Sequence, residues 1–226
     1  MPAGMILIFV LFAALVIGGI IWSALAAKKR REELATLAAR LGLRFDPAED
    51  RQLADRFEFL DQLAQGSNRY AYNVLSGAYR DNEVLVFDYH YETHSTDSKG
   101  HQQTHHHVFS FFILMLPQSF PEMRITKERM FSKIAQAFGY DDIDFESAEF
   151  SRTFCVRSKN KKFAYDVCNA QMMEYLLTNR DLSIEIEDRA LALAFNSTLS
   201  AADIEMNLRR LLEVRSRLPD YLFTKN

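Results

Sequence analysis

The chain has 226 residues, 48% of them hydrophobic, with 27 basic against 30 acidic side chains and a formal charge of -3. That length supports one sizeable domain, or two small ones, with a true core, and the composition excludes a disordered chain. The Lys and Arg residues beyond Arg31 are evenly scattered and form no stripe of the kind that a phosphate backbone demands, so nucleic acid is not an expected partner.

Residues 1–27 form the first unit. From Met5 to Ala27 no residue is charged, and the stretch exceeds the roughly 20 residues that an α-helix needs to cross the hydrocarbon core. A transmembrane helix is expected, with Trp22 anchored at the interface. Lys28, Lys29, Arg30 and Arg31 follow at once, and this basic flank is expected to stay in the cytoplasm with the bulk of the chain, leaving the N-terminus outside. A cleaved signal peptide competes with this reading, because Ala24-Leu25-Ala26 resembles a cleavage site. Against it stand the lack of a basic segment before the apolar run, the length of that run, and four cations placed where they resist export. Gly19, Ser23 and Ala27 form a small-xxx-small row that would let two such helices pack together.

Residues 28–66 read as basic flank, connector helix and loop. Leu34, Leu37, Ala38 and Leu41 share one face of a helix over Glu32–Leu43, and Gly42 suits its end. Asp46-Pro47 opens a turn-rich stretch with a short helix.

Residues 67–147 read as a β-rich subdomain with a long histidine-rich hairpin. Strands are expected near Tyr70–Tyr79 and Glu83–His94, joined by a turn at Arg80-Asp81-Asn82, and then over the run closed by Pro117. A short strand near Met123–Thr126 and a helix near Glu128–Phe138 follow. Residues 148–226 read as an α+β subdomain. A strand over "EFSRTFCVRS" precedes one or two helices, a hairpin turning at Asp188-Arg189 comes next, and an amphipathic helix capped by Ser200 ends the order. Strands and helices without regular alternation point to an α+β fold: an N-terminal transmembrane helix, then a mostly antiparallel sheet with packing helices.

All six histidines lie between His90 and His107. If Asp97–Gly100 is a type I turn, His90 faces His107 and Glu92 faces His105, and these four side chains converge on one side where they would hold zinc or copper. The same register puts Val84, Val86, Phe109 and Phe111 on the histidine face. A slip of one residue scatters the ligands over both faces, and the stretch then reads as a polar hairpin tip. Other chemistries lack their motifs. Beyond Gly19 the glycines stand at 42, 66, 77, 100 and 139, with no pair spaced for a phosphate cradle. Cys155 and Cys168 are expected as buried thiols. Asp141, Asp142, Asp144 and Glu146, and again Glu185, Glu187 and Asp188, read as solvated acidic faces, and Lys159–Lys162 as a basic turn.

The segments "KKRREELATLAARLGLRFDP", "NVLSGAYRDNEVLVFDYHYET" and "EFSRTFCVRS" resemble a bacterial single-pass membrane-anchored family with a mixed α/β soluble part and no established activity. The resemblance implies an inner-membrane protein, and it brings no cofactor or catalytic residue with it. The expectation is therefore a non-enzymatic module, tethered to the lipid bilayer by its first helix, whose cytoplasmic domain binds a protein partner, itself or the membrane surface. The alternative is a metal-binding hairpin with a sensing or storage role, using His90, Glu92, His105 and His107.

Overall fold

The computed structural model describes residues 3–97, 100–127 and 143–224. Helix α1 runs unbroken over Ala3–Leu41, a length of about 58 Å at 1.5 Å per residue. The apolar stretch and the leucine face of the connector thus share one axis. The side chains from Val10 to Lys29 are exposed, including large apolar ones such as Leu15, Ile20 and Trp22, whereas Leu34, Leu37 and Ala38 are buried in the domain. The helix is long and apolar enough to cross a membrane, and no part of its apolar window is buried against the domain. Gly42, at φ +71°, ends it, and Leu43 N donates back to Ala38 O at 2.8 Å, as in a Schellman cap.

Strand β1 (Arg44–Asp46) and the short helix α2 (Arg51–Arg56) follow. Strand β2 (Ser67–Tyr79) turns into β3 (Asn82–Thr96) through Arg80 and Asp81. Both of these residues have positive φ, the type I′ geometry that matches the twist of a hairpin. Strand β4 is longer than its sequence suggests: it passes Pro117 and reaches Lys127 from Gln102. Its pairing with β6 shifts between Met115 and Met123, and this irregular stretch accommodates both Pro117 and Pro121, which lack an N–H to give. The helix expected near Glu128–Phe138 lies outside the described residues.

The "EFSRTFCVRS" segment is not one strand. Ser147 caps a helix, α3 (Ala148–Thr153), and only Phe154–Ser158 is strand, β5. Helices α4 (Lys161–Val167) and α5 (Ala170–Thr178) begin at Asn160 and Asn169, whose side chains accept from the N–H three residues on. The hairpin expected at Asp188-Arg189 is absent, because Ile184–Ala194 forms a single strand, β6. Asp188, at φ +49° opposite Phe120, is an irregularity within that strand. Helix α6 (Ala201–Ser216) is capped by Ser200 and buries Ile204, Leu208 and Leu211.

The sheet is antiparallel, in the order β1-β2-β3-β4, with β5 and β6 both paired to β4. Alternation along β3 and β4 divides the side chains between two cores. Val84, Val86, Phe112 and Leu114 lie under α6 and the end of α1, a cluster that also takes in Phe150, Phe163 and Leu176. Phe87, Tyr89, Phe109 and Phe111 lie on the opposite face, beneath Leu53, Phe57, Leu60 and Leu63. Phe109 and Phe111 therefore do not share a face with Val84 and Val86, contrary to the register expected from a type I turn.

Candidate functional site

Two arrangements on the helical face of the sheet hold functional groups. The first joins α1 to the domain. Asp88 is the one inward position of the Val84-Val86-Asp88 alternation that carries a charge, and only 2% of its surface is exposed. The Arg30 guanidinium grips its carboxylate at two points, 2.5 and 3.0 Å, and also donates to Leu199 O at 2.9 Å. Asn73 Nδ2 and Ser110 Oγ each donate to Asp88 at 2.9 Å, while Ser110 Oγ accepts from Leu199 N. One buried carboxylate thus ties α1 to β2, β3, β4 and the entry to α6. Burial, then the charge of Asp88, pushes the Tyr72 phenol up to about 12.

The second arrangement lies further along β3. Asp97 N donates to His101 O at 3.0 Å, and Gly100 takes φ +83°. The paired residue numbers consequently sum to 198, and Glu92 faces His106. The physical reason is twist: a plain two-residue type I turn splays the strands, whereas a longer loop with a left-handed glycine keeps them paired. The difference of one residue moves every side chain of β4 to the other face. His90, Glu92 and His106 now converge, and His105 and His107 do not join them. His105 Nε2 meets Ser95 Oγ at 2.9 Å, and His107 Nε2 meets Thr93 Oγ1 at 2.8 Å with its ring stacked on Tyr91.

Within the convergent set, the ligand-bearing atoms of His90, Glu92 and His106 all lie within 4.8 Å of one another. His90 Nε2 is 3.1 Å from His106 Nδ1, which is 3.5 Å from Glu92 Oε1. The Asn68 carbonyl, 3.1 Å from His90 Nδ1, can only accept, so that nitrogen carries its proton and Nε2 faces the cluster. Asn68 Nδ2 donates to Glu92 Oε1 at 2.7 Å. This hydrogen bond, and secondarily the nearby histidines, holds the Glu92 carboxyl below its usual range. Tyr70 stacks on the buried His90 ring at 4.6 Å. Asn68 takes φ +48° and Gly66, two residues earlier, φ +65°, where a side chain would run into the Glu92 carbonyl, so a tight bend at the start of β2 sets the whole cluster.

Elsewhere, Trp22, Lys28, Lys29 and Arg31 are exposed on α1. Glu185 is not solvated: it is 5% exposed, and its Oε1 accepts from Asp61 N at 2.8 Å and from Arg124 at 2.9 Å. Burial pushes its carboxyl upward, against the pull of Arg124. Asp144 and Glu146 are exposed, and Asp141 and Asp142 lie outside the described residues. In the basic run Lys162 pairs with Asp166 and Lys159 with Glu122. Cys155 and Cys168 are buried and are not joined in a disulfide. The Asp88 hub escaped sequence reasoning, although a charge in an otherwise apolar alternation was the available signal. His106 escaped it because the loop is one residue longer than a two-residue type I turn, which moves His106 onto the Glu92 face.

No protein-family model matches the chain, and no curated protein does. A solved structure does: the mycobacterial trehalose monomycolate transport factor A superposes with a TM-score of 0.57 over 85% of this chain and 96% of its own, at 16% sequence identity. The two share a fold. At that identity the likeness carries the scaffold and not the site, and it agrees with the α+β architecture expected from the sequence.

Proposed function

We propose that the chain is a non-enzymatic interaction module held at the bacterial inner membrane by α1, with its N-terminus outside and its domain in the cytoplasm. The observation that carries this reading is the grip of Arg30 on Asp88. A residue of the basic flank is locked into the domain, so the domain hangs on the end of the apolar helix without a slack linker. Lys28, Lys29 and Arg31 remain exposed beside it, where anionic headgroups would meet them, which favours the cytoplasmic side.

The same lock supports an orientation of the domain. Leu43 packs at Gly77 on β2, and Gly77 pairs with Val84, while Arg30, three turns back along α1, reaches Asp88. Following α1 toward its apolar half therefore means following β3 from Val84 toward His90 and the hairpin tip. The polar arm would lie on the bilayer side, where a protein partner or a second copy would meet it. A solved structure with the same scaffold is named a transport factor, which supports an accessory role rather than chemistry of the chain's own. Nucleic acid is not among the partners this reading includes.

Cross-linking in intact cells, with a photoreactive group placed on the exposed arm, tests the proposal. A discrete adduct recovered with the full chain from native membranes is expected, and it should weaken when Arg30→Ala releases the domain. A C-terminal reporter active only outside the cytoplasm would overturn the orientation, and an arm that yields no adduct would overturn the docking role.

A further inference from the structure

We infer that His90, Glu92 and His106 form a zinc site, with Nε2, one carboxylate oxygen and Nδ1 as ligands and water at the fourth corner. Three features separate this cluster from a chance meeting of polar side chains. The first is spacing. Ligand bonds of about 2.0–2.1 Å in a tetrahedron put neighbouring donor atoms about 3.3 Å apart. The contacts from His106 Nδ1 to His90 and Glu92, 3.1 and 3.5 Å, bracket that edge.

The second is orientation from outside. Metal-binding imidazoles ordinarily donate their other N–H to a carbonyl or carboxylate, which fixes tautomer and ring. His90 does this to the Asn68 carbonyl, and the Asn68 side chain holds Glu92 in turn. The ring stack with Tyr70 and the burial of His90 remove the remaining freedom of the deepest ligand.

The third is charge and access. A negatively charged Glu92 and two neutral imidazoles suit a divalent cation of borderline softness. His106 is 61% exposed at its side chain, so the site opens to solvent on that side. Binding requires only that the His106 proton sit on Nε2, toward water, so that Nδ1 presents its lone pair. No proton is lost from a neutral ring in that change.

The test uses the full chain in detergent, purified without a polyhistidine tag, stripped with chelator and titrated with Zn²⁺ against a fluorescent indicator. One equivalent per chain is expected. His106→Ala and Glu92→Gln should each weaken binding about tenfold or more, while His105→Ala and His107→Ala should leave it within about twofold. Co²⁺ should give the intense visible absorption of a tetrahedral site, and His106→Ala should abolish it. His90 is part of the packed arm and its removal can unfold the strand, so His106 and Glu92 carry the test, with a melting curve for each variant. Equal losses from His106→Ala and His107→Ala would overturn the inference in favour of loose chelation by a histidine-rich ribbon. Failure of the wild-type chain to take up one equivalent would also overturn it.

Discussion

Arg30 and Asp88 are joined by a two-point ion pair between the helix that leaves the domain and the middle of its central hairpin. Asp88 is almost wholly buried, and the Arg30 side chain is 23% exposed. Breaking such a pair by removing one partner costs about 3–5 kcal/mol, because the other charge stays buried. Asp88→Ala and Arg30→Ala should each destabilise the domain by about that amount in denaturant titrations. Lys29→Ala removes an exposed pair to Glu33 and should change stability by less than about 1 kcal/mol.

The register of the histidine ribbon can be read by disulfide formation. Starting from the Asp97–His101 hydrogen bond and alternating outward, Glu92 and His106 fall at a non-hydrogen-bonded pair, where cross-strand side chains approach most closely. Glu92→Cys with His106→Cys should oxidise readily to an intramolecular disulfide. Glu92→Cys with His105→Cys should not, since those side chains leave opposite faces. Non-reducing mass spectrometry distinguishes the two, and efficient bridging of the second pair would restore the shorter turn.

Gly66 holds the bend that aims Asn68 at the cluster. At φ +65° a side chain there is strained, and an added Cβ would enter the Glu92 carbonyl and lie 2.6 Å from Tyr91 Cδ2. The left-handed conformation alone costs about 1–2 kcal/mol. Since backbone must also move, Gly66→Ala should lower stability by more than that in thermal melts. Gly100→Ala, which has positive φ but open space around it, should cost only the conformational part.

Stability should fall as pH rises through the range in which Glu187 ionises. Burial, then the charges of Glu122 and Glu185, raises its carboxyl from 4.5 to about 7 in the folded chain. Between those values the folded state binds more protons than the unfolded one, so the contribution is present at the acid end and lost as pH approaches about 7. Glu187→Gln should flatten that slope. Melting temperatures measured at pH 5 and pH 7.5 on both proteins give the comparison, and equal slopes would show that Glu187 is not its source.

Much of the architecture was legible in residues that act locally. The caps at Ser200, Gly42 and the Arg80-Asp81 turn depend on a few neighbouring atoms, and each appears where its residue type indicated. The apolar run from Met5 to Ala27 likewise needs no tertiary context to be recognised. Where a feature depended on a distant partner, local reading failed. Asp188-Arg189 resembles a turn, yet pairing with β4 carries the strand straight through it. Glu185 resembles a surface carboxylate, yet Arg124 and the Asp61 backbone draw it inside.

The amino-acid order by itself determined that a lipid-compatible helix precedes an antiparallel α+β domain, and that the histidines crowd one hairpin. Only the tertiary structure decided which of them meet. Side chains alternate at every step along a strand, so a loop longer by one residue exchanges His105 and His107 for His106. That loop length is chosen by the twist of the paired strands, a property of the assembled sheet.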